Sequence, residues 1–190
     1  MANWLLKHIN KHLTHEDSVL DLCCGNGDLS SGLVHRDIVG VDACPEYLNL
    51  YKRVVKNSKT VCIDLSKLSH STMEEFSSGL YDVVLCIDGV EHLERPAAEL
   101  LISKIESLAT KKVVIFTPEN CDNPESITLN TPKNTWGIAG GDDWQIHRSA
   151  FPRTYWADRG YSCHQLLPNP AINVYDGSKY WEMMYVKEFK

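Results

Sequence analysis

The stretch VLDLCCGNGDL, residues 19–29, decides the fold class. It opens with a short apolar run, typical of a buried strand, and continues into two glycines that stand one residue apart, Gly25 and Gly27. Glycine lets the backbone turn sharply and lets a ligand approach the main chain without meeting a Cβ atom. The stretch therefore predicts a strand that ends in a ligand-binding turn, although a pair of glycines alone is a weak signal.

Strand-like and helix-like patterns alternate around this turn. The strand-like runs are 18–22, 38–42, 60–65, 81–87 and 113–117, and the helical patterns are 3–13, 28–35, 45–57 and 96–112. This alternation predicts βαβ units and a parallel sheet with helices on both faces. Two more strand-like runs follow at 161–167 and 180–187, and we expect the second to pair antiparallel at the sheet edge.

The composition favours one soluble globular domain over residues 1–190. Hydrophobic residues make up 43% and charged residues 23%, close to the average for such domains. The formal net charge of −6 argues against broad binding to nucleic-acid phosphates, because that binding needs a basic footprint. No run approaches the ~20 apolar residues that span a bilayer, so we expect no membrane partner.

The cysteine and histidine spacings predict no metal site. The seven cysteines form no CxxC pair, which disfavours a zinc knuckle and a thioredoxin-like site. Several lie in apolar runs, where a free thiol behaves as a small hydrophobe, so we expect a reducing, cytoplasmic location. His8 and His12 are four residues apart but have no acidic or cysteine partner nearby in the sequence.

An acidic residue, Asp42, stands about one βα unit after the glycine turn. A carboxylate there can accept hydrogen bonds from both hydroxyls of a ribose, or it can cap the helix that begins at Pro45. The third glycine of a dinucleotide fingerprint is missing, because Ser30 occupies its position. Asp21, just ahead of the turn, would repel a pyrophosphate and attract a cationic ligand such as S-adenosylmethionine.

The segment DLCCGNG, residues 21–27, resembles the first motif of the class I S-adenosylmethionine-dependent methyltransferases. Asp42, the segment IDL at 63–65 and the segment YDVVLCIDGVEHL at 81–93 are similar to the superfamily's later motifs, in order and in spacing. The resemblance implies a Rossmann-like three-layer α/β sandwich, with a seven-stranded, mostly parallel sheet and an antiparallel last strand. It also implies S-adenosylmethionine as the cofactor. The cofactor-binding residues that it implies are Asp21, Cys23, Gly25, Gly27, Asp42, Ala43, Asp64, Leu65, Asp88, Gly89 and His92.

Residues 118–148 follow the fifth strand pattern with many Pro and Gly breakers and little periodicity. A loop of this length is often a functional lid, so we expect it to shape an acceptor site. It runs into WQIHRSAF, residues 144–151, which resembles an HxS-type stretch of small-molecule and glycan methyltransferases. The alternative is a helix capped by Ser149 and ending at Gly160. Four aromatic residues offer flat apolar surface that suits either a ring-bearing or sugar acceptor or a hydrophobic core: Trp136, Trp144, Phe151 and Trp156.

His147 and His92 are the candidate catalytic residues. An imidazole, with an ordinary pKa near ~6.5, can accept a proton at neutral pH. We prefer His147 as the general base for a hydroxyl acceptor, because its loop is free to form the acceptor side. His92 competes because it lies nearer the end of the fourth strand. Glu91 and His92 could also only cap the turn before the Pro96 helix, and His147 could only bind the backbone ahead of Ser149.

These observations together predict a methyltransferase that acts on a small molecule or a glycan, at oxygen or nitrogen. An RNA or nucleotide methyltransferase is one alternative, and a basic patch around Lys111–Lys112 or Lys52–Arg53 would support it. A catalytically silent S-adenosylmethionine-binding module is another, because a fold does not determine a function.

Overall fold

The computed structural model of the protein describes residues 3–67, 79–128, 144–173 and 177–190. The helices are α1 Asn3–Ile9, α2 Pro45–Val54, α3 Arg95–Leu108 and α4 Arg153–Asp158. The strands are β1 Ser18–Leu22, β2 Asp37–Asp42, β3 Ser58–Cys62, β4 Tyr81–Ile87, β5 Ala109–Asn120, β6 Ser162–Gln165, β7 Ala171–Ile172 and β8 Lys179–Glu188. No helix in these ranges is both long and apolar enough to cross a bilayer.

The strands form one sheet in the order β3-β2-β1-β4-β5-β8-β6, and the two-residue β7 pairs with β8. The first five strands are parallel, and β8 runs antiparallel to β5, which confirms the predicted mostly parallel α/β sheet. The expectation that the last strand forms the edge was wrong, because β8 lies between β5 and β6. Its residues 183–186 are all buried, as is usual for a strand covered on both faces.

Two apolar clusters cover the two faces of the sheet and give the sandwich its three layers. On one face, residues of α3 and α4 pack against alternate residues of β1, β4 and β5; the cluster includes Leu20, Val84, Val113, Leu101, Ile105 and Trp156. On the other face, residues of α1 and α2 pack against the intervening residues of the same three strands. This cluster includes Val19, Val83, Val114, Leu5, Ile9 and Tyr51. The alternation of strand side chains between two apolar layers explains why these strands read as continuous apolar runs.

The helix predicted over 28–35 was wrong, because only one 3-10 turn, Ser30–Gly32, follows the glycine turn. Ser and Gly are weak helix formers, and the backbone of Gly32 is closely covered by α1. A Cβ atom built on Gly32 would lie 2.5 Å from Leu6 Cδ2. The first helix thus packs where a longer second helix would otherwise begin. It is itself shorter than the predicted 3–13, because it ends at Ile9 and continues only as a 3-10 turn.

Two predicted element boundaries near the fifth strand also change. The strand does not stop at Pro118 but continues to Asn120, while Lys111 and Lys112 belong to the strand and not to the end of α3. Beyond Phe116, β5 pairs with β8 alone, so one of its edges is open. Proline has no N–H group to donate, and it is tolerated in a strand that has such an open edge. Ser149 does not cap a helix, because α4 begins at Arg153 after Pro152.

Candidate functional site

A cavity of about 420 Å³ opens at the carboxyl ends of β1, β2, β3 and β4. Strand order reverses between β1 and β4, and ligands of open α/β sheets bind at such a switch point. The volume lies in the range of small-molecule sites. All of the predicted cofactor-binding residues line the cavity except Asp21 and Gly27; the lining ones are Cys23, Gly25, Asp42, Ala43, Asp64, Leu65, Asp88, Gly89 and His92.

Asp42 holds the glycine turn as well as lining the cavity. Its Oδ2 accepts a hydrogen bond from the Gly25 N–H at 2.9 Å, and its Oδ1 accepts one from the Cys44 N–H at 2.9 Å. Burial raises the pKa of the Asp42 carboxyl, and these backbone donors offset part of the increase. The carboxylate therefore positions the turn relative to β2. The helix-cap alternative does not describe it, because Cys44 occupies the cap position of α2.

Asp21 and Gly27 support the turn from behind the cavity. Asp21 is buried and accepts a short hydrogen bond from the Ser30 hydroxyl, and burial raises the pKa of its carboxyl to about 7. A Cβ atom on Gly27 would lie 2.8 Å from Val55 Cγ2, so this glycine allows the turn to pack against the end of α2. In the structure these two residues therefore support the turn from outside the cavity lining.

Three side chains meet next to the cavity, and we call them the Glu91–His92–His147 cluster; of the three, His92 lines the cavity. Glu91 and His92 lie on the 3-10 turn Val90–His92 that directly follows β4. The imidazole rings of His92 and His147 have their centroids 4.9 Å apart. One ligand-type atom from each of the three residues lies within 4.8 Å of the other two. The structure thus brings together both predicted catalytic histidines.

Backbone hydrogen bonds tie the His147 segment to the turn. The N–H groups of Arg148 and Ser149 both donate to the Glu91 carbonyl oxygen, at 2.6 and 3.1 Å. The Ser149 hydroxyl donates to the Val90 carbonyl oxygen at 3.0 Å. The guanidinium of Arg148 donates to the His92 carbonyl oxygen at 3.0 Å. These hydrogen bonds therefore join the His147 segment to the turn after β4, beside the cavity.

The tautomer of His147 follows from its contacts. Its Nδ1 lies 2.9 Å from the carbonyl oxygen and 2.9 Å from the hydroxyl oxygen of Thr128. A carbonyl can only accept, so Nδ1 carries the proton and Nε2 keeps a free lone pair. Burial lowers the pKa of His147. Burial and the neighbouring His147 lower the pKa of His92 to about 4, so both imidazoles are uncharged at neutral pH.

Glu91 was missing from the predicted site, although it directly precedes His92 in the EHL segment. Its side chain is 2% exposed, and neither carboxylate oxygen has a hydrogen-bond partner of normal geometry in the described part of the chain. Burial and the nearby Asp88 raise the pKa of this carboxyl well above its ordinary range, and the backbone of Glu91, the Thr117 hydroxyl and the backbone of Gly89 offset this only in part. The cluster can therefore accept a proton from an acceptor group or hold a cation.

Residues 19–112 match the family described as "Methyltransferase domain". The chain is 29% identical over 142 residues to a small RNA 2'-O-methyltransferase of Arabidopsis thaliana, covering 70% of this chain and 15% of that protein. It is 25% identical over 126 residues to a ubiquinone biosynthesis O-methyltransferase of Acinetobacter baylyi, covering 65% of this chain and 51% of that protein. The chain thus spans about half of the second relative and much less of the first.

The solved structures show the same fold. The structure of DhpI in complex with SAH matches with a TM-score of 0.62 at 16% identity, over 98% of this chain and 83% of that chain. The chain belongs to the class I S-adenosylmethionine-dependent methyltransferase superfamily. S-adenosylmethionine is the cofactor that this superfamily uses, and the cavity of this chain lies where a Rossmann-like sheet binds its ligand.

The aromatic residues expected on the acceptor side of the site separate into two groups. Trp144 lines the cavity and is 38% exposed, as an acceptor contact requires. Phe151 and Trp156 are buried in the core under α3, so the structure gives them packing places instead of an acceptor surface. Trp136 lies outside the described residues, as do positions 129–143 of the predicted acceptor loop.

Proposed function

We propose that this methyltransferase moves the methyl group of S-adenosylmethionine to an oxygen atom of a small hydroxyl-bearing acceptor. The acceptor would enter between the cavity and the Glu91–His92–His147 cluster. The observation that carries this proposal is the lone pair on His147 Nε2, which the bond from Nδ1–H to Thr128 fixes beside His92, a residue that lines the cavity. A hydroxyl needs help to lose its proton before it can attack, and this cluster supplies such help.

The names of the relatives support oxygen as the methylated atom. The Arabidopsis protein is named a 2'-O-methyltransferase and the Acinetobacter protein an O-methyltransferase. The chemistry also agrees, because the sulfonium already activates the methyl carbon for in-line displacement. What the protein must add is alignment, worth ~7–11 kcal/mol in well-oriented reactions, and removal of the hydroxyl proton.

The two basic patches that would support RNA as the acceptor are either neutralised or away from the cavity, and this favours a small acceptor. Lys111 is paired with Asp17 and Asp82, and Lys112 with Glu188, so the first patch that would support RNA is neutralised by acids. The second patch lies in a shallow hollow lined by basic residues of 52–59, at the amino end of β3. The cavity opens at the carboxyl end of that strand, so this basic hollow is at the opposite edge of the sheet.

A transfer assay with isotope-labelled cofactor tests the proposal. The protein is incubated with S-adenosylmethionine carrying a ¹³C methyl group and with separate panels of phenols, sugars, amines and short RNAs. We expect label in the small hydroxyl compounds, and the carbon chemical shift of the product identifies an O-methyl group. Label found only in amines or only in RNA would refute the proposal. The variant Trp144→Ala should raise the KM for the acceptor, while the affinity for the cofactor stays unchanged.

A further inference from the structure

The strongest unexplained feature outside the cofactor residues is the buried carboxylate of Glu91. Both of its oxygens lack a hydrogen-bond partner of normal geometry among the described residues, and its side chain is 2% exposed. A buried carboxyl group without well-formed hydrogen bonds is costly, and proteins keep such groups where they are paired or where they coordinate a metal ion. No Lys or Arg side chain forms an ion pair with Glu91 in the described part of the chain.

Two of the groups near Glu91, the side chains of His92 and His147, are metal-ligand types. His92 Nδ1 is buried and without a hydrogen-bond partner in the described ranges, and His147 presents its Nε2 lone pair. The three ligand atoms lie within 4.8 Å of one another. Ligands bound at ~2.0–2.2 Å to one ion stand roughly 3–4 Å apart, so small side-chain rotations bring these atoms to coordination distance.

We propose that Glu91, His92 and His147 bind one divalent transition-metal ion, of the Zn²⁺, Mn²⁺ or Fe²⁺ class. Two imidazoles and one carboxylate are a donor set that these ions accept with coordination positions left open, whereas Mg²⁺ and Ca²⁺ prefer oxygen ligands. The bond from His147 Nδ1–H to the Thr128 carbonyl is the outer-shell contact that metal-ligating histidines commonly make. It orients the ring before any ion arrives.

The proposed ion also gives the cluster a role in the reaction, and this part rests on the proposed function. His92 lines the cofactor cavity, so an ion on this cluster lies between the cofactor and the acceptor side. With the ion bound, the ion occupies the His147 Nε2 lone pair, so the ion and not the imidazole would promote loss of the proton. An acceptor hydroxyl at an open coordination position would lose its proton more readily to solvent. The oxygen then forms the bond to the methyl carbon, the carbon–sulfur bond breaks, and its electron pair stays on sulfur. The electron count balances without an oxidant or a reductant.

Calorimetry on protein stripped with a chelator tests the site directly. Zn²⁺, Mn²⁺ and Mg²⁺ are titrated separately into the wild type and into the variants Glu91→Gln, His147→Asn and His12→Asn. His12 is the matched control, since its ring is also paired with another imidazole, that of His164 at 6.4 Å, outside the cluster. We expect one Zn²⁺ or Mn²⁺ per chain, binding at least about a hundredfold weaker in the two cluster variants and unchanged in His12→Asn. Equal affinity in all four proteins would overturn the site.

Thermal unfolding, cofactor binding and methyl-transfer assays distinguish a failure of the metal site from a failure of the proposed function. Glu91→Gln keeps the shape of the side chain, so we expect it to fold, to bind S-adenosylhomocysteine as the wild type does, and to lose the metal-induced rise in melting temperature. If O-methyl transfer continues at full rate in chelator and without bound metal, the metal proposal fails while the proposed function stands. If the ion binds but no hydroxyl compound is methylated, the site stands and the proposed function fails.

Discussion

The two glycines of the first turn should respond differently to the same change, Gly27→Ala mainly in stability and Gly25→Ala mainly in cofactor affinity. Gly25 and Gly27 both have positive φ angles, +56° and +85°, so alanine at either position adopts a conformation that costs ~1–2 kcal/mol. Around Gly25 no atom lies within 4 Å of an added Cβ, and the residue lines the cofactor cavity. Around Gly27 an added Cβ meets Val55 at 2.8 Å and Tyr51 at 3.0 Å.

These surroundings set the expected magnitudes. Gly27→Ala adds overpacking, worth ~1–3 kcal/mol, to the conformational cost, so its free energy of unfolding should fall by about 2–5 kcal/mol. Gly25→Ala should lose only about 1–2 kcal/mol of stability. Its methyl group projects toward open cavity space, however, so its affinity for S-adenosylhomocysteine should fall at least tenfold, or about 1.4 kcal/mol.

Urea unfolding and calorimetry measure both effects, and Gly160→Ala is the matched control. Gly160 also has a φ of +85° and no atom within 4 Å of an added Cβ, but it lies after α4, away from the cavity. It therefore measures the conformational cost alone. The reasoning is refuted if Gly27→Ala is no less stable than Gly160→Ala, or if Gly25→Ala binds S-adenosylhomocysteine with wild-type affinity.

Three further variants test the cavity, the cluster and the acid stability. Asp42→Ala should lower cofactor affinity by ~1.5–3 kcal/mol in calorimetry, because it removes a charged acceptor that lines the cavity; unchanged affinity would contradict its assignment. His147→Ala should lower kcat by ~10²–10⁴-fold with cofactor affinity intact, and a loss below about threefold would make the residue structural. Burial raises the pKa of Asp17, but Lys111 and Thr14 outweigh it and hold the pKa below its ordinary value. The stability that this provides is complete above the unfolded pKa of ~3.9 and is lost as pH falls below it, so urea unfolding should show a shallower acid loss for Asp17→Asn than for the wild type.

The cofactor side of the site was predictable because each of its residues stands at the end of a strand pattern. Parallel strands bring their carboxyl ends to one edge, so Gly25, Asp42, Asp64 and Asp88 had to converge once the alternation of elements was recognised. The supporting place of Asp21 was not predictable, since it depends on the Ser30 hydroxyl reaching back across the turn.

The acceptor side depends on long-range contacts that local patterns do not contain. Glu91 becomes important only because the segment around His147 folds against its carbonyl oxygen. Thr128, which orients the His147 ring, lies in a segment with no periodic signal. The missing second helix had a similar cause, because the contact between Leu6 and Gly32 joins positions that no sequence pattern relates.

The interior position of β8 affects how the protein folds during synthesis. β6 is made before β8 yet has no other strand partner in the described part of the chain, and β5 pairs with β8 along Lys112–Asn120. Until Lys179–Glu188 leaves the ribosome, one edge of β5 is therefore unpaired and β6 cannot join the sheet. Open strand edges invite intermolecular pairing, and pairings that close late in the chain fold slowly. The nascent protein consequently passes through a stage in which aggregation competes with folding, and that stage ends when its eighth strand inserts.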